Sequence, residues 1–367
     1  MKKILFLLLD GLGDVSYSEL GNKTPLEAAK TPVLDSLAFN GYCGKLIPLG
    51  FDKYVPLSDA SLMTFSNFGY DVRKIKPNRG SVEAVGAGIK IKNGDLCART
   101  NFAIVDKNWR ILDMRAGRLK TKEGKRMAKK VNRIKFYAPF KFVATYEHRG
   151  VLVFFGNFSD KIPIPDPHMP MKKVRKSSKM LNDFMSLVYN ALKGDKANFL
   201  LMRGLGSKLP KVKKFGFKAC AIGVGDKPLD RGIAILIGIK TLHFPREKEM
   251  TSSHKRAIDK AFNRFDFVFV PFKETDVPGH DGDCRRKVKE IELVDKFIGT
   301  LDLKDKLIVV TTDHRTVCKK RVHTKGSIPT MVSFGPSKRK RKFGERYCVD
   351  FKIPSYKLID YIRVLNK

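Results

Sequence analysis

Five apolar, β-prone runs recur along this chain: Ile4–Leu9, Ala197–Met202, Phe267–Phe272, Leu307–Thr311 and Pro329–Phe334. Runs of this kind look like core strands. Helical patterns lie between some of them. Thr31 followed by Pro32 has the form of an N-cap and first-turn pair, and Gly41 ends that helix. From Arg286 to Ile298, the residues Val288, Ile291, Val294, Phe297 and Ile298 recur at helical spacing. A further helix is expected from Asp59 to Phe68. Strands alternating with helices predict an α/β domain with a mostly parallel sheet flanked by helices.

A chain of 367 residues can form one large domain or two ordinary ones. Charge shows where a second one lies. The net charge is +36, and residues 74–195 hold 27 Lys and Arg against 10 Asp and Glu. Positive charge is therefore densest in the middle third. That stretch also has short strand-like pieces of its own, Thr100–Val105, Phe142–Tyr146 and Val151–Phe155. The expectation is a smaller inserted α+β domain at 74–195, interrupting a discontinuous core of 1–73 and 196–367.

With 43% hydrophobic and 30% charged residues the chain is globular, which excludes a disordered segment as its main character. A surface this basic attracts anions: phosphorylated metabolites, nucleic acid or acidic membrane. The six cysteines are scattered without a CxxC pair, which argues against a zinc ribbon or a disulfide framework. Reduced thiols in the cytoplasm fit best. The run Ile4–Leu9 ends at Asp10 and is too short for a signal peptide or a membrane span. No membrane partner is expected.

Four polar clusters follow predicted strands or open predicted helices. They are Asp10-Gly11-Leu12-Gly13-Asp14; Pro56-Leu57-Ser58-Asp59; the stretch from Lys273 through Asp276 to His280-Asp281-Gly282; and Thr312-Asp313-His314, with His323 further on. In open α/β sheets the site lies at the carboxyl ends of the strands, so these clusters are expected to converge. Taken singly, Asp-Gly is a turn, Ser58 an N-cap and each histidine an ordinary core or surface residue. Together they offer carboxylates and imidazoles in proportions that suit divalent metals, Mn²⁺ or Zn²⁺ first, with Co²⁺ or Mg²⁺ as alternatives.

Asp10-Gly11, the Ser58 cluster, Asp276-x-x-x-His280-Asp281-Gly282, Asp313-His314 and His323 resemble, in order and type, the metal sites of the alkaline phosphatase superfamily. Within it the chain resembles the archaeal-type cofactor-independent (2,3-bisphosphoglycerate-independent) phosphoglycerate mutases. Lys23–Ala29 with Thr31-Pro32, Arg79–Ala84 with Gly86-Ala87-Gly88, and Asn101-Phe102-Ala103 carry that resemblance. So do Arg115-Ala116-Gly117-Arg118, Glu147-His148-Arg149, Asp166-Pro167-His168 and Arg203-Gly204.

The resemblance implies an alkaline-phosphatase-like core and one metal held by Asp10, Ser58, Asp313 and His314. It implies a second metal held by Asp276, His280 and His323. It also implies that the inserted domain supplies substrate-binding arginines, for which Arg99, Arg115, Arg118, Arg149 and Arg203 are the candidates. His148 or Asp166 would position a substrate hydroxyl. The chain departs from the family pattern at Leu57, where glycine is usual, and at Arg315 and Thr324, where serine is usual. None of these is a proposed ligand, and Arg315 would add a cation near the site.

The chemistry implied is interconversion of 2-phosphoglycerate and 3-phosphoglycerate through a phosphoserine on Ser58. A serine hydroxyl needs an adjacent metal or base to become nucleophilic. Backbone N–H groups opening the following helix would face the phosphate, and an inserted domain closing over the core would exclude water. The nearest alternative is a metal-dependent phosphatase or phosphodiesterase of the same superfamily. From another class, the charge suggests a nucleic-acid-binding protein on a retired enzyme scaffold. The absence of a recognisable RNA or DNA module and the retention of every proposed ligand argue against it. The sequence leaves the oligomeric state open.

Overall fold

The computed structural model describes residues 1–159, 161–225, 227–242 and 252–367. In chain order these carry β1 (Lys3–Leu9), β2 (Gly41–Ile47), β3 (Leu96–Val105), β4 (Ile111–Asp113), β5 (Phe140–Ala144), β6 (Arg149–Phe154), β7 (Phe199–Gly206), β8 (Ala219–Ala221), β9 (Lys240–Thr241), β10 (Phe267–Phe272), β11 (Lys306–Thr311), β12 (Arg315–Val317), β13 (Val322–Thr324), β14 (Ile328–Ser333) and β15 (Lys352–Pro354). The chain divides into two compact units. One comprises Met1–Lys76, Val212–Gly225 and Ile233–Lys367; the other comprises Pro77–Lys211 and Asp226–Gly232.

The first unit is built on a sheet in the order β15-β2-β14-β11-β1-β10-β8-β9. All of its pairings are parallel except those of β14, which runs against both β11 and β2. The α/β expectation holds here. β1, β10 and β11 are buried along almost their whole length, as strands covered on both faces must be. Because these three are neighbours and parallel, their carboxyl ends bring Asp10, Lys273–Asp276 and Thr312–His314 to one edge.

Three local expectations are corrected. Thr31 does not cap the helix Pro32–Phe39 with its side chain. Asp295, from the helix Cys284–Ile298, does so instead, accepting from Leu34 N at 2.7 Å and Val33 N at 3.3 Å. Burial raises the Asp295 pKa despite those bonds. Gly41 is not a helix terminator but the first residue of β2. A Cβ there would lie 2.5 Å from the Val332 carbonyl oxygen across the ladder to β14. The helix expected from Asp59 to Phe68 is instead a 3₁₀ segment, Leu57–Met63, continued by one α-turn, Thr64–Asn67. Asp59, at φ −118° and ψ 22°, kinks the first part out of α geometry.

The second unit holds an antiparallel sheet centred on β3, with β6 and then β5 on one side and β7 on the other, while β4 pairs the end of β3. The helix Lys179–Ala191 packs its apolar face on this sheet, Phe184 meeting Phe154 at 5.0 Å and Phe140 at 4.8 Å between ring centroids. β7 belongs to this unit because it is laddered to β3. The division therefore falls after Lys211, beyond the boundary drawn from charge at 195/196. No helix among the described residues is long and apolar enough to cross a membrane.

Candidate metal centre and arginine cluster

At the carboxyl edge of the core sheet two groups of ligand-type side chains form. One is Asp10, Asp313 and His314; the other is Asp276, His280 and His323. Asp10 follows β1, Asp313 and His314 follow β11, Asp276 and His280 sit on the short helix Asp276–Asp281 after β10, and His323 lies on β13. Asp10-Gly11 is required in that order. A Cβ on Gly11, at φ +62°, would lie 2.5 Å from both Asp276 Oδ1 and Thr316 Oγ1.

The imidazoles are oriented through their Nδ1 atoms. His280 Nδ1 donates to the Arg321 carbonyl at 3.1 Å, and His323 Nδ1 donates to the Leu57 carbonyl. With Nδ1–H committed, both Nε2 atoms present lone pairs, and they face each other at 3.0 Å. Asp276 lies beside them, its oxygens 3.5 Å from His280 Nε2 and 3.8 Å from His323 Nε2. Thr316 donates its hydroxyl proton to Asp276 Oδ1 at 2.6 Å, so it can only accept from His314 Nδ1 at 3.2 Å. That leaves a lone pair on His314 Nε2, 3.0 Å from Asp10 Oδ1 and 3.6 Å from Asp313 Oδ1. These three atoms are buried and none has a hydrogen-bond partner.

Lone pairs and carboxylates so arranged repel unless a cation or a proton stands among them. The protonation preferences of the chain alone express this. Burial, then the Asp10 charge, pushes Asp313 up to about 7. Burial would lower His314, but Asp313 and Asp10 outweigh it and carry the imidazole up to about 9. Burial likewise acts to raise Asp10, yet Lys273 and His314 hold it well below the carboxylate range. His323 is pushed down to about 4 by burial and then by His314. Mixed carboxylate and imidazole donors, each held from behind, fit divalent cations.

Ser58 is exposed, and it follows Leu57, whose carbonyl His323 holds. The 3₁₀ segment is capped at Pro56 without a side-chain bond, so Ser58 is not its N-cap. Arg315 turns its guanidinium to the Asp14 carbonyl, at 2.9 Å, while its stem packs on Gly13. Sequence reading placed Lys273 in a polar cluster but gave it no role, and here it hydrogen-bonds Asp10; it missed Thr64, which donates to Asp313 at 3.4 Å, Thr316 and Lys287. No periodicity or spacing marks a threonine or a buried lysine for such work.

In the second unit, Arg203 on β7 stands opposite Arg99 on β3, and Arg149 on β6 stands opposite Asn101. Residues two apart on a strand share a face, so the three guanidiniums project from one side of the sheet. The helix Arg79–Gly86 adds Arg79 and Glu83, the carboxylate lying 2.7 Å from Arg79 and 3.8 Å from Arg99. Burial would raise Glu83, but Arg79 and Arg99 outweigh it and hold it low. Burial and crowding by Arg79 and Arg203 lower the Arg99 pKa, and burial and Arg79 lower that of Arg149. His148 is kept neutral, pushed down to about 3 by burial and then by Arg149, Arg115 and Arg99. Arg99 Nε and His148 Nδ1 are buried without a hydrogen-bond partner.

Asp166 lies 4.0 Å from Arg203, which also meets His168. Arg115 is exposed but within electrostatic reach of His148 and Arg149. Arg118 is exposed, and among the described residues no ion pair or side-chain hydrogen bond holds it. Arg79, Arg99, Arg149 and Arg203 around the single carboxylate of Glu83 leave an excess of positive charge whose guanidiniums could pair bidentately with an anion.

Residues 38–198 match the family model of 2,3-bisphosphoglycerate-independent phosphoglycerate mutase, and residues 235–350 match that of the metalloenzyme superfamily. The chain is 33% identical to 2,3-bisphosphoglycerate-independent phosphoglycerate mutase of Thermococcus kodakarensis, over 99% of this chain and 96% of that one. Among solved structures, a protein of Pyrococcus horikoshii superposes with a TM-score of 0.80 at 26% identity, covering 99% of this chain and 97% of that one. The cofactor-independent phosphoglycerate mutase of Thermoplasma acidophilum superposes with a TM-score of 0.60 at 27% identity, with all of both chains covered.

Proposed function

The chain belongs to the 2,3-bisphosphoglycerate-independent phosphoglycerate mutase family, and we propose that it interconverts 2-phosphoglycerate and 3-phosphoglycerate through a phosphoserine on Ser58. It is an isomerase of the metalloenzyme superfamily. The observation that carries the reading is the convergence of His280, His314 and His323 Nε2 lone pairs on Asp10, Asp276 and Asp313, with each Nδ1 already engaged. Divalent ions held there would supply positive charge beside the serine and phosphate oxygens.

Ser58 gives up its hydroxyl proton as its oxygen attacks phosphorus, the P–O bond to glycerate breaks, and the departing oxygen takes up a proton in exchange to become a free hydroxyl. The other hydroxyl of the retained glycerate then attacks the phosphoserine. It loses its proton, and the Ser58 oxygen leaves and regains one. No water is consumed, so the products are isomers. Arg99, Arg115, Arg149 and Arg203 hold the anionic substrate, Arg118 completes the set named from the family, and His148 or Asp166 positions the hydroxyl. Neutral His148 suits that task, since it can accept or donate one hydrogen bond. The reading assigns the chain to glycolysis and gluconeogenesis in the cytoplasm.

Exhaustive chelation is expected to abolish isomerisation. Mn²⁺, Co²⁺ or Zn²⁺ should restore it better than Mg²⁺, because imidazole donors favour the later transition metals. Product analysis in the same assay distinguishes mutase from phosphatase. Full activity in metal-free protein, or release of inorganic phosphate as the main product, would overturn the proposal.

A further inference from the structure

The two ligand groups of the core share a hydroxyl, and we propose that Thr316 is a positioning residue that sets both of them for cation binding at once; this rests on reading the two groups as metal sites. Thr316 lies on β12, where it pairs with His323 on β13. Its side chain is fully buried. The single hydroxyl proton goes to Asp276 Oδ1 at 2.6 Å, in one group, and the oxygen faces His314 Nδ1 at 3.2 Å, in the other. One atom thereby fixes the rotation of the Asp276 carboxylate and the tautomer of His314.

The tautomer is the consequential part. With Nδ1–H given to Thr316, Nε2 is the nitrogen that yields its proton when a cation binds between Asp10 and Asp313. Without that acceptor, Nδ1 can be the nitrogen left bare and Nε2 can keep its proton. It would then hydrogen-bond Asp10 and occupy the place a cation needs.

The backbone gives Thr316 no latitude to wander. Its N–H donates to the Gly13 carbonyl at 3.1 Å, and its own carbonyl accepts from Lys287 Nζ at 2.8 Å. Lys287 Nζ also binds the Gly11 carbonyl at 2.9 Å, so Thr316 and the loop that carries Asp10 are held by the same ammonium. The threonine methyl is wedged against Gly279, where an added Cβ would lie 2.7 Å from it. With the methyl so placed, the hydroxyl has one direction left, between His314 and Asp276.

Groups that orient metal ligands from behind typically contribute 10–100-fold to metal affinity (order of magnitude). The test is calorimetric titration of chelator-stripped protein with Mn²⁺, for wild type, Thr316→Val and Thr316→Ser, alongside thermal melts of the metal-free forms. Wild type should take up two ions. Thr316→Val keeps the shape and removes the hydroxyl, and it should weaken both uptakes by about 10–100-fold. Thr316→Ser restores the hydroxyl and should bind within a few-fold of wild type. If the valine variant does not fold by circular dichroism, Thr316→Ala carries the same expectation.

Wild-type affinity at both sites in the valine or alanine variant would overturn the proposal, as would weakening at one site only. A serine variant no better than valine would also overturn it, since shape and not the hydroxyl would then matter. Failure of wild type to bind Mn²⁺ at all would instead remove the metal-site reading, and the proposal with it.

Discussion

Lys287 has no exposed side-chain surface, and four oxygens surround its Nζ. They are Asp14 Oδ2 at 2.9 Å and the carbonyls of Gly11, Gly13 and Thr316 at 2.9, 3.4 and 2.8 Å. Lys287→Met would leave the buried Asp14 carboxylate unpaired, and a broken buried pair costs about 3–5 kcal/mol. Urea denaturation should show a loss of that size; a loss under about 1 kcal/mol would mean that water replaces the ammonium. His148 makes a separate prediction. An unfolded imidazole titrates near pH 6.5, whereas His148 is pushed down to about 3 by burial and then by Arg149. Between those values the unfolded chain binds a proton that the folded chain does not. The stability tied to His148 is thus present above about pH 6.5 and lost as pH falls through that window, by at most about 1.4 kcal/mol per pH unit. Denaturation midpoints followed from about pH 7 down to about pH 4 should fall less steeply in His148→Gln than in wild type. Equal slopes would mean that His148 is already charged in the folded chain.

At the scale of elements, the loop after β4 shows how a functional segment differs from a regular one. Ala116, Gly117 and Arg118 all have positive φ, at 45°, 63° and 55°. A single non-glycine residue in this region is uncommon, and strain of this kind gathers at functional sites. Asp113 holds the loop, accepting from Arg115 N and Gly117 N, each at 2.7 Å. The backbone is therefore bent to present Arg115, not left slack. Arg115→Ala should lower kcat/KM by roughly tenfold or more, the equivalent of about 1.5–3 kcal/mol for a charge-assisted contact. Thermal stability should not change, because the side chain is exposed. Arg118→Ala should have the smaller effect of the two. Unchanged efficiency in both variants would return the pair to an ordinary solvated basic face. The strands of this unit were legible from their apolar runs, but this loop was not, because propensity contains no signal for three left-handed residues in succession. The same holds for the segment after Pro56, where an α-helix was expected from Asp59 to Phe68 and the Asp59 backbone makes a kinked 3₁₀ turn.

At the scale of the molecule, the core was readable because a parallel sheet buried on both faces needs long apolar strands, and β1, β10 and β11 announce themselves so. The residues that follow those strands could be named for the same reason: chain direction in a parallel sheet delivers them all to one edge. Thr316 and Lys287 stayed hidden, since their roles depend on which carbonyl or imidazole lies opposite, which only the folded chain determines. Charge density located the second unit but misplaced its far boundary, because it has no view of the ladder between β3 and β7. Phosphoryl transfer through Ser58 is open to direct capture. Metal-loaded protein is mixed with 3-phosphoglycerate, quenched in acid within one turnover, and its peptides are mapped by mass spectrometry. A phosphoryl group on Ser58, formed while 2-phosphoglycerate appears and absent from folded, metal-binding Ser58→Ala that has lost isomerisation, is the result predicted. Isomer formation that proceeds in Ser58→Ala, or with Ser58 unmodified throughout, would contradict it.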